Sequence, residues 1–244
     1  MIHSIFKKET FQYLTTATGY ISLAVFFVAT WLFCWVIPST SILEYGFAEM
    51  GTFFEIAPYI FLFLIPALTM RLLSEEYKTG TFELLITKPV SVIKIILGKY
   101  FSSIFLILIA LGMTLIYFVS IYYLANPIGN VDVSGIIGSY VGLWLLGSVF
   151  GSIGIFTSSI TDNQVVAFIL SFVFCYILYD GISRIAEIQS FSGNVSYFLQ
   201  NLGLAAHYQS MGRGVVDSRD LIYFLGIIVF FLFLTKISID FRRN

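Results

Sequence analysis

Residues able to do covalent chemistry are scarce in this chain of 244 residues, which holds two histidines, His3 and His207, and two cysteines, Cys34 and Cys175. Both cysteines lie inside apolar runs and read as small buried hydrophobes. Their spacing suggests neither a disulfide nor a metal site, and neither histidine falls within an apolar run. The groups that stand out are carboxylates. Glu75, Glu76 and Glu83 occur within Arg71-Leu-Leu-Ser-Glu-Glu-Tyr-Lys-Thr-Gly-Thr-Phe-Glu-Leu-Leu-Ile-Thr-Lys-Pro89, a charged, turn-bearing stretch closely flanked by apolar runs. Their chemistry is non-covalent: the stretch has the makings of a small amphipathic helix, a shape suited to receiving a push from another protein. That is the equipment of a moving part, not of a catalyst.

The elements around those carboxylates follow from local chemistry. The helix before them should continue to about Lys78, and Gly80 should break it. Thr79 or Thr81 can cap a new short helix, with Phe82, Leu85 and Ile86 on its apolar edge and Glu83 exposed beside them. Pro89 should end it, and Ser91 can cap the helix that follows. The expected result is a stubby helix lying across the mouth of a membrane bundle, with Glu75, Glu76 and Glu83 facing out. The bland alternative is a solvated charged loop whose basic residues only anchor topology.

Composition fixes the setting. The chain is 58% hydrophobic and 11% charged, far below the roughly 25% charge of soluble domains, so it is a polytopic membrane protein. Its 26 Phe and 15 Tyr suit interfacial aromatic belts. A net charge of −1 leaves no electrostatic footprint for nucleic acid. A bilayer core needs about 20 mainly apolar residues per helix. Six segments qualify, near residues 19–38, 53–70, 97–124, 136–160, 165–182 and 221–239. The first follows Lys7-Lys8 but is too long for a cleaved signal and lacks a small-x-small site after it, so it reads as an uncleaved anchor.

Basic residues set the orientation. With both termini in the cytoplasm, the cytoplasmic segments hold Lys7, Lys8, Arg71, Lys78, Lys88, Lys94, Lys99, Lys236, Arg242 and Arg243, ten of thirteen. The first two outer loops hold Glu44, Glu49 and Asp132 and no basic residue, and Arg184, Arg213 and Arg219 fall in the loop before the last span. The positive-inside rule therefore places both ends inside.

The expected fold is all-α: six transmembrane helices, an N-terminal interfacial helix over residues 2–16, a short cytoplasmic helix in the region 71–96, and a membrane-dipping segment before the last span. In the N-terminal helix Ile2, Ile5, Phe6 and Tyr13 share a face while Lys7 and Lys8 point towards headgroups. Glu9 breaks that pattern by falling on the apolar side. Pro58 and Pro66 imply a bend or local unwinding in the second span, tolerable only if neighbours re-satisfy the freed carbonyls. The fourth span carries Gly138-x-x-x-Gly142 and Gly147-x-x-x-Gly151, then Gly154 and Ser158. Small residues at that spacing let helices approach closely in lipid, although glycine is common in membrane helices anyway. Thr161-Asp162-Asn163 supplies a cap and forces spans four and five to be antiparallel neighbours. The segment 183–220 is too aromatic for a plain loop. Phe191, Val195, Tyr197, Phe198, Leu199, Leu202 and Leu204 should dip into or lie along the outer leaflet.

Glu-Glu-Tyr-Lys-Thr-Gly-Thr-Phe-Glu-Leu-Leu-Ile-Thr-Lys-Pro followed by Gly98-Lys99-Tyr100 resembles the signature of ABC-2 type transporter permeases. Lys7-Lys8-Glu9 and Ser158-Ser-Ile-Thr-Asp-Asn-Gln-Val-Val-Ala-Phe168 agree with it in order and position, so the resemblance covers the whole chain as a single transmembrane domain. Tyr77 stands where a basic residue is commoner. Pro66-Ala-Leu-Thr-Met-Arg71 and Ala206-His-Tyr-Gln-Ser-Met-Gly-Arg-Gly-Val-Val-Asp-Ser-Arg-Asp-Leu-Ile-Tyr223 are most similar to permeases of gliding-motility-associated ABC transporters. Permeases of nitrous-oxide-reductase (copper) maturation and of lipid or drug export systems are close alternatives.

The resemblance implies a non-catalytic subunit in a bacterial inner membrane. Glu75, Glu76, Gly80, Thr81, Phe82, Glu83, Leu84, Leu85 and Pro89 would form the ATPase-coupling region, seated in a groove on a separate ATPase. That ATPase would act as a dimer and hold the ATP and magnesium, because no Gly-x-x-x-x-Gly-Lys-[Ser/Thr] occurs here and this chain binds no cofactor of its own. A second permease is implied, either another copy or a partner bearing an extracytoplasmic domain, with membrane lipid around both. Two rivals are weaker. An intramembrane enzyme needs reactive groups deep in the bilayer, and Asp180 sits near a span end where Arg184 can pair with it. An ion-coupled carrier or channel should show inverted repeats with paired broken helices, and no convincing internal repeat is visible.

Overall fold

The computed structural model describes residues 2–44, 47–86, 91–186, 197, 200–214 and 217–243, and every described element is helical or a turn. Helix α1 (Ile2–Thr15) is followed at an extended Thr16 by α2 (Ala17–Trp31), which continues as a π-turn to Val36. Then come α3 (Gly51–Thr69), α4 (Ser74–Lys78), α5 (Thr81–Ile86), α6 (Val92–Leu124) and α7 (Val133–Ile160). Helix α8 (Gln164–Tyr176) runs through a π-turn into α9 (Ile182–Ala186), and α10 (Leu204–Met211) precedes α11 (Ser218–Arg243). Six of these are long and apolar enough to cross a membrane, in the expected places. The chain is a polytopic membrane protein.

Helix α7 is the hub. It packs against α3, α6, α8, α10 and α11, and 78% of its apolar window is buried, against 22–28% for α2, α8 and α11. Its glycines face several partners. A Cβ at Gly138 would collide with the Met211 carbonyl, and one at Gly142 would crowd Tyr208 at 3.1 Å, both on α10. One at Gly147 would press on Ile107 at 3.0 Å, and one at Gly151 on Ser103 Oγ at 3.2 Å, both on α6. The stripe thus seats α10 at one end and α6 further along.

Both prolines of α3 sit inside continuous helix, without the unwinding the sequence suggested. A proline leaves the carbonyl four residues earlier without its amide partner. For Pro58 that carbonyl is Phe54, and the Tyr208 hydroxyl of α10 donates to it at 2.8 Å. The interruption comes later. Helix two does not continue to Lys78 but breaks at a turn over residues 70–73 and restarts as α4. Ser158 of α7 fills that break: its Oγ accepts from the Leu73 and Ser74 amides, each at 3.0 Å, and donates to the Met70 carbonyl at 2.9 Å. Buried peptide groups must find partners, and one hydroxyl on a neighbouring helix supplies three.

The described part of segment 183–220 includes α10, which is held by His207. Its Nδ1 lies 2.7 Å from Asp220 Oδ1 and its Nε2 lies 2.9 Å from the Asn201 carbonyl, with the ring stacked on Tyr223. Phe191, Val195, Phe198 and Leu199 lie outside the described residues.

Candidate functional site

The N-terminus, α4, α5, the α7–α8 turn and the C-terminal end of α11 gather at one end of the bundle, the near end. Gly80 adopts φ +69° with nothing within 4 Å of a prospective Cβ, so it turns the chain between α4 and α5 through a conformation that L-residues avoid. Thr79 Oγ1 donates to the Glu75 carbonyl at 2.8 Å and lies 2.9 Å from Thr81 Oγ1, closing the turn. Phe82 is buried against Tyr77 with ring centroids 4.6 Å apart. It pins α5 to α4 and leaves Glu83 and Thr81 exposed. Helix α5 is described to Ile86. The side chains of Leu84, Leu85 and Ile86, and Pro89 altogether, lie outside the described residues. Ser91 precedes α6, but its side chain makes no cap; its carbonyl accepts from Lys94 at 2.9 Å instead.

One expectation fails here. Glu75 is half-exposed beside Arg71, but Glu76 turns inward. The reason is Lys99 of α6, whose side chain is 1% exposed. Its ammonium donates to Leu72 O at 2.6 Å and to Glu9 Oε1 of α1 at 3.0 Å, and it pairs with Glu76 Oε1 at 2.9 Å. Two of the ammonium's three hydrogens are engaged in these hydrogen bonds, and the Glu76 carboxylate adds an ion pair. Burying a charge is unfavourable unless it is paired and hydrogen-bonded, so Glu76 goes where the buried cation is. Glu9, the misfit on the apolar side of α1, is there for the same reason.

Helix α1 approaches α6 this closely because Gly98 has no side chain: a Cβ there would lie 2.8 Å from Ile5. The Tyr13 hydroxyl of α1 donates to the Leu68 carbonyl, burial pushes its phenol pKa up, and Arg71 lies over its ring. The far wall comes from α11. Arg242 sits over the Tyr77 ring at 4.4 Å, pairs with Asp162 and donates to the Ile160 carbonyl. Between these parts lies a cavity of about 510 Å³ lined by Glu76, Tyr77, Phe82, Glu83, Asp162 and Arg242. Three of those are carboxylates and one is a cation. Glu76 Oε2 and the Tyr77 hydroxyl have no hydrogen-bond partner among the described residues.

The opposite end has a second cavity of about 600 Å³ between α3, α7 and α10, lined by Glu49, Glu55, Tyr59, Tyr179, Tyr208 and Arg213 among others. Asp132 at its rim caps α7, accepting from Ser134 at 2.6 Å and Gly135 at 3.0 Å, and those bonds lower its pKa. Among the described residues no group of three or more His, Cys, Asp or Glu could hold a metal. Asp180 pairs with Arg184 one turn on, as the spacing suggested.

The arrangement is six membrane-crossing helices with a glycine-hinged, acid-edged pair of short helices standing at one end. The family described as ABC-2 family transporter protein matches residues 35–235, most of the chain. The chain belongs to the ABC-2 transporter family. No curated protein matches it. As an ABC-2 permease it is the transmembrane subunit of an ABC transporter, which pairs with an ABC ATPase.

Sequence reasoning marked the hinge at Gly80 and the anchor at Phe82, both from local residue types. It missed Lys99, Ser158 and Arg242 as parts of the site. For Lys99 a signal was present: a carboxylate on the wrong face of an amphipathic helix needs a buried cation somewhere.

Proposed function

We propose that the near end faces the cytoplasm of a bacterial inner membrane and that α4–α5 is the coupling region of an ABC-2 exporter. A separate ATPase dimer, carrying ATP and magnesium, closes around nucleotide and pushes on this hairpin. A second permease completes the transport unit, either another copy or a partner with an extracytoplasmic domain. The single observation carrying this reading is the hairpin itself. Glu83 and Thr81 stand exposed on α5 while Phe82 and Tyr77 fasten it to α4, beside a cavity lined by three carboxylates. A surface of that charge suits a basic groove on the ATPase. The sequence likeness in residues 66–71 and 206–223 favours a role in gliding motility, in which the stroke moves a substrate or does mechanical work outside.

The test is co-purification and coupling. Glu83→Lys should weaken ATPase association by about tenfold or more, since a like charge set against a basic groove costs several kcal/mol, while membrane insertion is unchanged. Gly80→Pro should separate ATP hydrolysis from transport or motility, because proline is confined to φ near −65°. Wild-type association and coupling in both variants would overturn the proposal.

A further inference from the structure

Lys99 does more than fill a buried position. It gathers three acceptors from three places in the chain: Glu9 on α1, the Leu72 carbonyl in the turn after α3, and Glu76 on α4. From the open side, Lys8 reaches the same two carboxylates, Glu9 at 3.7 Å and Glu76 at 3.6 Å. Two ammoniums thus face two carboxylates, one cation buried and one exposed. We propose that Lys99 is a positioning residue that makes helix α1 move with the coupling hairpin, so that the N-terminal helix is a second moving part of the ATP-driven stroke. The inference rests on the coupling reading above.

The argument is one of charge and degrees of freedom. If α4 moved away from α1 by even one or two ångströms, either Glu9 or Glu76 would lose its contact with the buried Lys99 ammonium. An ammonium as buried as that of Lys99, left without a carboxylate, is strongly unfavourable. If α1 and α4 moved together, the box would stay closed. The lowest-energy response to a push on α4–α5 is therefore a joint displacement of α1 and the 70–78 step. Two further contacts favour the same motion. The Tyr13 hydroxyl of α1 holds the Leu68 carbonyl at the end of α3, and Arg71 of the step covers the Tyr13 ring. Helix α1 also carries Phe11, which is 67% exposed and unburied by any other element. A displacement of α1 would thus drag an apolar side chain through the lipid headgroup layer.

The experiment uses the permease purified with its ATPase and reconstituted in lipid nanodiscs. Spin labels are placed by Phe11→Cys on α1, Lys78→Cys on α4 and Ile137→Cys at the far end of α7. The native Cys34 and Cys175 are buried. Distances are read before and after trapping with ATP and vanadate. The expected result is that Phe11 and Lys78 both move relative to Ile137 while their mutual distance stays narrow and constant. In Lys99→Met alone two carboxylates lose their buried cation, which works against assembly itself, so the decisive variant is Glu9→Gln/Glu76→Gln/Lys99→Met. It has no buried charge left to compensate and should assemble in wild-type yield, yet show a broadened Phe11–Lys78 distance and an α1 that no longer follows. Movement of Lys78 without Phe11 in the wild type, or an unchanged joint motion in the triple variant, overturns this inference alone. No ATP-dependent movement at Lys78 overturns the coupling reading and this inference with it.

Discussion

Ser158 has no charge and no place in any acidic motif, yet the step that carries the hairpin depends on it. Two buried amides, those of Leu73 and Ser74, have its Oγ as their partner. Ser158→Ala would orphan both. An unsatisfied buried donor costs about 1–3 kcal/mol, so the variant should lower the thermal midpoint of the purified permease measurably, while a serine-to-alanine change at Ser120, half-buried on α6 and bonded within its own helix to the Ile116 carbonyl, should not. Gly80 is the opposite case: nothing crowds it, and only its backbone conformation is demanding. Residue type alone reveals Gly80, because few other residues tolerate positive φ. It cannot reveal Ser158, because a serine near a helix end has many possible partners.

At the scale of elements, the seating of α1 on α6 sets up the charged box. Gly98 provides the seat and Lys99, the next residue, provides the cation. Gly98→Leu should push α1 outward by steric overlap with Ile5, which lies 2.8 Å from a mere Cβ. The expected readout is new accessibility of the Lys99 region to proteolysis or hydrogen exchange, with α7 and its partners unchanged. Over-packing of this kind typically costs about 1–3 kcal/mol. The pair Gly98-Lys99 was legible only as part of a family signature. Its physical meaning is close approach followed by charge pairing, and that needs the coordinates of α1. Helix α10 is similar: its Tyr208 answers a carbonyl freed by Pro58, a debt visible in the sequence, whereas the creditor 150 residues away is not.

For the whole molecule, two kinds of electrostatics coexist at the near end. The Lys99–Glu9 pair is shut away from water, whereas Glu83 and part of Glu75 stand in it. Salt screens exposed charges over a Debye length of about 10 Å at 0.1 M but reaches buried pairs much less. Raising ionic strength from about 0.05 to 0.5 M should therefore weaken ATPase association severalfold and leave the melting temperature of the isolated permease nearly constant. A parallel loss of both would mean that the box is open to solvent. The outer faces of α2, α8 and α11 remain apolar and largely uncovered within one chain, as contact with lipid requires.

The sequence by itself determined the membrane class, the number and approximate ends of the six long helices, and the hinge at Gly80. Those depend on local hydropathy, helix length and backbone preference, which neighbours in the chain already fix. Only the tertiary structure decided that helix two breaks after Thr69, that Glu76 faces inward, and that Arg242 closes the site from the far end of the chain. Each of these is a contest between burial and solvation. The outcome is set by a partner tens of residues away, as with Glu9 and Lys99, ninety positions apart.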